Sequence, residues 1–385
     1  MSRTPALAEA ARALSGSVFS PAGAAARALP ADVCPLNVGD TWLEPPPGAR
    51  SEDLRADELA GLHRYGDTRG LRPLREAWAA RLAERGGPPA DPDSVLVTAG
   101  ATGGLACAVG AVANPGDEVL ILAPYWPLIR GIAVALRAVP VEVPFYDRVA
   151  SADEAVAAVA ARRSPRTVAL YVSSPSNPTG RVLPGEWLEA LAGWARREGL
   201  WLLSDEVYES LVYEGEHVSP GRFAPERTLS AWSFSKAWAM AGNRVGCLAG
   251  PPEAVEAALK MATHTFYHAP TAGQWAALRA LEGGEAWLAD ARARYAEAGR
   301  AAAARLGLRA PEGGTFLFAD AAPALDARGL PGFLADCLAD GVALAPGASC
   351  GADYASWFRL CFTAAPPGAV AAAVEKVAQR LPVSK

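Results

Sequence analysis

Lys236 lies in the stretch SAWSFSKAWAMAGNRVG, residues 230–246, and is the only acidic or basic residue between Arg227 and Arg244. A lysine at the mouth of a helix can snorkel from such surroundings into water. Held away from water, with positive charge nearby, it is driven instead towards its neutral amine, which is both a nucleophile and a base. Ser233, Ser235 and Arg244 beside it offer the hydroxyl and guanidinium donors that hold an anion. Asp205, in SDEVYESLVY, follows an apolar run, with Tyr208 three residues on. The carboxylate suits a ring-nitrogen cation and the phenol a ring oxygen; an acid in the first turn of a helix is the plainer alternative. Asn177 in SPSNPTG is an amide donor or an Asx-turn residue. Trp126 in LAPYWP offers a flat stacking surface or simply a core aromatic. VTAGATGG is a Gly-rich turn entering a helix, whose backbone N–H groups could cradle a phosphate or which could be plain structure. It lacks the G-x-G-x-x-G spacing and the acid that a dinucleotide site needs.

These residues share a position relative to the elements that carry them. SVLVT, EVLILA, VPVEVPF, TVALYVSS, LWLLSDE, RTLSAWSF and VGCLAG are short β-rich runs between residues 94 and 250. Helical stretches near 103–112, 126–136, 152–162 and 186–198 separate several of them. Near-continuous apolar strands alternating with helices predict an α/β fold, a large domain with a mainly parallel seven-stranded sheet covered by helices. Such sheets bind ligands beyond the carboxyl ends of their strands, which is where the candidate residues fall. After residue 250 the pattern changes. A long helix through EAWLADARARYAEAGRAAAARLG, the runs GGTFLFAD, GVALAPG and WFRLCF, a helix near 331–339 and a final amphipathic helix predict a smaller α+β domain. The expected division is a large domain over 40–288 and a small one from 1–39 with 289–385.

Length and composition set the outer bounds. With 385 residues, 51% of them hydrophobic and 20% charged, the chain can fill more than one core and does not read as disordered. A net charge of -5 argues against a nucleic-acid footprint. The six cysteines are scattered without C-x-x-C spacing, as expected of buried thiols in a reducing cytoplasm rather than of disulfides or a metal site. The longest apolar run is broken by two prolines and Arg130, so no membrane span is expected. The Ala-rich start, faintly like a transit peptide, reads as a short amphipathic helix in a chain that is Ala-rich throughout.

Anion cradle, stacking ring, amide, carboxylate with phenol, lysine and arginine together fit a phosphorylated, protonated aromatic ring bearing an aldehyde, a description met by pyridoxal 5'-phosphate. SPSNPTG, SDEVYESLVY and SFSKAWAMAGNRVG, in that order, resemble the class I/II aminotransferase family of fold-type I pyridoxal-phosphate enzymes. The similarity runs from LNVGDTW near residue 36 to WFRLCFT near residue 360. It implies that Lys236 forms the Schiff base and acts as the base at the substrate Cα, while Asp205 pairs with the pyridinium nitrogen. It further implies that Asn177 and Tyr208 hold the ring oxygen, that Trp126 stacks on the ring, and that Ala101, Thr102, Ser233, Ser235 and Arg244 bind the phosphate. Tyr65, in RYGDTRGLRPLREAWAARL, matches a tyrosine that reaches the phosphate of the neighbouring subunit, so a homodimer with shared sites is expected. Arg359 matches the arginine that grips the substrate α-carboxylate, and Gly39 and Asn177 fall on the substrate side.

The reaction implied is exchange of an amino group between an L-amino acid and a 2-oxo acid. Elimination, cyclisation or oxidation of an amino acid would use the same constellation. Aspartate-specific relatives place a second arginine from the partner ahead of a tyrosine–proline segment. Here THTFYHAP puts His264 at that place, and no arginine occurs between Arg244 and Arg279. One imidazole cannot reproduce a bidentate guanidinium–carboxylate pair, so a non-acidic substrate is expected, with Phe266, Tyr267 and Trp42 nearby. His264 and His268 also stand at helical i, i+4 spacing, but no third ligand is evident and no metal site is expected.

Overall fold

The seven apolar runs between residues 94 and 250 do become strands, each within a residue or so of its expected limits, whereas GVALAPG yields only the two-residue strand Ala345–Pro346. The computed structural model describes residues 6–16, 33–59 and 61–382. In its large sheet are β1 (Val95–Thr98), β2 (Glu118–Ala123), β3 (Val139–Pro144), β4 (Thr167–Ser173), β5 (Trp201–Asp205), β6 (Thr228–Ser233) and β7 (Gly246–Ala249), in the order β1-β7-β6-β5-β4-β2-β3. Only β7 is antiparallel to its neighbours; every other adjacent pair is parallel. The strands β1 to β6 therefore all end along one edge of the sheet, and β7 begins there.

The helices are α1 (Glu9–Ala13), α2 (Arg72–Glu84), α3 (Gly100–Val112), α4 (Pro127–Ala135), α5 (Ala152–Ala160), α6 (Gly185–Glu198), α7 (Pro252–Thr263), α8 (Thr271–Gly283), α9 (Glu285–Arg305), α10 (Gly329–Ala339) and α11 (Pro367–Arg380). Alternate residues of the strands feed opposite cores, as a period of two requires. Val119 and Ile121 of β2 pack with Leu105 and Val109 of α3 and Val255 of α7. Leu120 and Leu122 pack with Leu188 and Leu191 of α6 on the other face. All four strand residues are buried, each worth about 1.5–3 kcal/mol relative to exposure. Both faces are thus covered, which is why these strands carry no polar alternation. The helix α2 went unmarked in the sequence because arginines and glutamates crowd it; its buried stripe of Leu74, Trp78 and Leu82 keeps a spacing of four.

A second sheet, β8 (Phe316–Asp320), β9 (Ala345–Pro346) and β10 (Trp357–Cys361), is antiparallel in the order β8-β10-β9. Its core joins Leu317, Phe358 and Leu360 to Phe333 of α10 and Val374 of α11. Leu36 belongs to that core, and Cys34 N–H donates to the Gly341 carbonyl at 2.8 Å. The five-residue α1 buries none of its side chains; Leu14 just beyond it approaches Gly131 of α4. Most of the expected N-terminal helix, residues 1–5 and 17–32, lies outside the described residues. Among the described helices none is long and apolar enough to cross a membrane.

Candidate active site

Strand register assembles the site. Thr98 pairs with Gly246, Gly246 with Ser233, Asp205 with Ala231, and Ser173 with Asp205. The ends of β1, β4, β5 and β6 and the start of β7 therefore fall in one row, and the residues just beyond them face a common cleft that is open to solvent. Gly39, Ala101, Thr102, Trp126, Asn177, Asp205, Tyr208, Ser233, Ser235, Lys236, Arg244 and Arg359 all line it. Val38, Leu105, Leu128, Val207 and Phe316 complete the wall.

The Lys236 ammonium donates to the carbonyl of Gly39. Burial pulls its pKa below the ordinary lysine value; Arg244 and Arg359 push the same way, and Cys361 and Asp40 oppose them. Asp205 is 6% exposed. Its Oδ2 accepts from the Tyr171 hydroxyl at 2.6 Å and its Oδ1 from Val207 N–H at 3.3 Å. Burial raises the Asp205 carboxyl to about 6, against those two donors. Such a group calls for a cation. The Tyr208 ring is buried, and desolvation raises its phenol, so it stays protonated and able to donate.

The opposite end of the cleft is built for an anion. Gly100 opens α3 with φ +69°, and a Cβ there would lie 2.5 Å from Arg244 Nη2. Both facts require glycine: the left-handed backbone and the close approach of the guanidinium. Arg244, itself left-handed at φ 52°, donates from Nη1 to the Ala241 carbonyl at 2.9 Å. The Ser233 hydroxyl donates to Ser235 Oγ at 2.8 Å and accepts from Ser235 N–H. First-turn N–H groups of α3, two serine hydroxyls and a guanidinium thus meet where a phosphate would be matched.

Arg359 enters from the small sheet. It is 2% exposed; Nη1 donates to Asn177 Oδ1 and Nη2 to the Asn37 carbonyl, each at 3.0 Å. Its guanidinium lies 4.2 Å from the Phe316 ring centroid, a cation–π contact. Neither Phe316 nor Tyr171 stood out in the sequence. Phe316 lies on β8 opposite Cys361, two residues from Arg359, a proximity that only the antiparallel register discloses.

Tyr65 and His264 do not line the cleft. Tyr65 is 85% exposed and packs edge-on against Tyr267 at 5.1 Å, with His268 at 6.0 Å. The helix expected to space His264 and His268 ends at Thr263: His264 caps it, exposed, and Tyr267 has φ 68°. The i, i+4 pairing is lost, because His268 turns away to take Gly66 N–H on Nε2 at 3.3 Å. Among the described residues no group of three His, Cys, Asp or Glu could hold a metal ion.

Known proteins share this fold and much of this sequence. The model of the family described as aminotransferase class I and II matches residues 31–377. The aspartate/prephenate aminotransferase of Thermus thermophilus is 39% identical over 265 residues, 66% of either chain. The arginine–pyruvate transaminase of Pseudomonas aeruginosa is 38% identical over 252 residues, 64% of this chain and 63% of that one. The solved aspartate aminotransferase of Thermus thermophilus with maleate superposes with a TM-score of 0.88 at 32% identity, covering 98% of this chain and all of that one. With its sequence and its fold both matched along most of its length, the chain belongs to the class I and II aminotransferase family and is an aminotransferase.

Proposed function

We propose that the enzyme uses pyridoxal 5'-phosphate to exchange an amino group between a non-acidic L-amino acid and a 2-oxo acid. The observation that carries the reading is the convergence, in one cleft, of a buried lysine amine, a buried carboxylate at a strand end and a buried arginine from the other sheet. The residues fit the cofactor at both ends. The Gly100–Arg244 contact leaves no room for a Cβ beside an anion cradle, and Asp205 has two donors but no cation within its own shell. When bound, pyridoxal phosphate supplies a carbonyl that condenses with amines and a ring that accepts electron density.

The chain's own residues do the rest. Ala101, Thr102, Ser233, Ser235 and Arg244 bind the phosphate, and Asp205 keeps the ring nitrogen protonated. Asn177 and Tyr208 hold the ring oxygen, and Trp126, at the start of α4, covers a ring face. Burial favours the neutral amine of Lys236, so Nζ can take a proton from the substrate Cα and return it, a role worth about 10²–10⁴ in rate. Arg359 is oriented before substrate arrives, because Asn177 and Asn37 fix two of its nitrogens, so the α-carboxylate meets a preset fork beside Gly39. We assign 40–288 to the cofactor-binding domain and 1–39 with 289–385 to the small domain. The enzyme is a cytoplasmic homodimer in which Tyr65 completes the partner's phosphate site.

Support for a non-acidic substrate comes from the charge count of the cleft. Lys236, Arg244 and Arg359 are the cations lining it, and each already has a role; Val38, Leu105, Leu128 and Phe316 make the remaining wall apolar. His264 would stand where a guanidinium from the partner is missing. The names of the relatives span aspartate/prephenate, arginine–pyruvate and valine–pyruvate activities and do not choose among them. The test is a panel of amino acids, each added to the cofactor-loaded enzyme while the visible absorption is followed. Neutral or aromatic amino acids should give the highest kcat/KM, with the amino group recovered on the added oxo acid. Aspartate or glutamate leading by a wide margin contradicts the substrate class, and release of ammonia contradicts the exchange.

A further inference from the structure

Tyr171 is buried on β4, and its hydroxyl donates a 2.6 Å hydrogen bond to Asp205 Oδ2. The register explains the reach. Tyr171 pairs with Leu203 and Ser173 with Asp205, so residues 171 and 173 share a sheet face with 203 and 205. Tyr171 starts two pairs behind Asp205 and extends forward along that face to the carboxylate. The ring sits among Val119, Ile121 and Leu203 of the same core, which fixes the direction of its hydroxyl. Asp205 Oδ1 is held by Val207 N–H, so each carboxylate oxygen has one donor from the protein while the group still lines the cleft.

We propose that Tyr171 is a positioning residue for Asp205: its hydroxyl fixes the carboxylate's orientation and favours its charged form, so that the cleft selects a ring with a cationic nitrogen over an otherwise identical ring without one. This rests on the cofactor reading above and names a part of it that family motifs do not contain. The other titratable groups facing Asp205 are Glu206, the next residue, whose charge opposes ionisation, and the phenols of Tyr146 and Tyr208, which burial keeps neutral. Glu206 is turned to Ser219 and His217, at 2.8 Å each, and donates nothing to Asp205. Tyr146 spends its proton on the Ser173 carbonyl at 2.6 Å. Tyr171 is thus the side chain that donates to this carboxylate.

The test uses the full chain with Tyr171→Phe, which keeps the ring and its packing and removes only the donor. In the cofactor-free protein, carbon NMR of labelled aspartate should show the Asp205 titration moving up from about 6 by about one unit, the scale of a hydrogen bond to a charged group. A titration that stays in place overturns the proposal. Binding of pyridoxal phosphate should weaken about tenfold, whereas a phenyl phosphate-ester analogue with carbon in place of the ring nitrogen should change less than about twofold. Equal weakening of both marks a merely structural tyrosine and also overturns it. If the wild-type chain bound neither ring, the cofactor reading would fail while the Asp205 titration still decided the role of Tyr171.

Discussion

Asp205 is 6% exposed and Tyr65 85%, yet both belong to motifs that resemble cofactor contacts. Asp205 sits where β5 ends, with donors on both oxygens and two cores behind it. Tyr65 lies in a loop before α2, with the edge of Tyr267 and the His268 ring against it. The contacts of the first region all come from one chain. The second presents tyrosines to solvent, as a surface does when a second copy is to cover it. If the proposed dimer forms, such a site would be half fixed by the fold and half by assembly, and the two halves would respond differently to substitution.

The largest effect should fall on the inner wall. Lys236→Ala is expected to lower turnover by about 10²–10⁴ or more while leaving non-covalent binding of pyridoxal phosphate measurable by fluorescence titration. Turnover within tenfold of wild type would break the claim that the wall carries the chemistry. Next comes Asp205 as a stability probe. Its folded pKa is raised from 3.8 to about 6, so its protonated form stabilises the cofactor-free fold below pH 3.8, and that contribution is lost as pH rises through about 6. Asp205→Asn should therefore stabilise the cofactor-free protein above pH 6, by up to about 3 kcal/mol at about 1.4 kcal/mol per unit, with little change near pH 4. Chemical denaturation at the two pH values reads the difference directly. Equal stabilities at both would deny the burial cost.

Gly100→Ala adds a Cβ 2.5 Å from Arg244 Nη2 at a backbone angle that alanine rarely adopts. A cost of about 1–3 kcal/mol is expected, expressed as weaker affinity for pyridoxal phosphate and for inorganic phosphate alike. Unchanged affinity for both would place the anion elsewhere. The smallest effect, and the one that separates the two regions, is complementation. Tyr65→Ala and Lys236→Ala subunits, mixed and allowed to exchange, should recover part of the activity in hybrid dimers, provided Tyr65→Ala alone is clearly impaired. Sedimentation showing a fully active monomer would remove the second region from the site altogether.

The contrast also bears on what a sequence can disclose. Lys236, Asp205 and Asn177 were legible because each follows an apolar run, and in a parallel sheet a strand's end is also the site's edge. All seven strands of the large sheet were legible for the same reason: both faces are buried, so EVLILA and LWLLSDE announce themselves. Tyr171 was not, since a tyrosine inside TVALYVSS is indistinguishable from core until the β4–β5 register sets it two pairs behind Asp205, on the same face. Phe316 was hidden likewise by the β8–β10 pairing. His264 was read on a helix that ends one residue earlier, at Thr263, because nothing in THTFYH signals the left-handed turn at Tyr267. Pairing partners across long sequence separations and irregular loop backbone are the two things that local spacing does not encode.

The central claim is that Lys236 is the amine at which the cofactor is held. The most direct measurement is reduction of the pyridoxal-phosphate-loaded protein with borohydride, followed by proteolysis and mass spectrometry of the labelled peptide. The label should appear on Lys236 alone, within SAWSFSKAWAMAGNRVG, and should be absent from Lys236→Ala. Stoichiometric label on Lys260 or Lys376, or none on Lys236, would contradict the account.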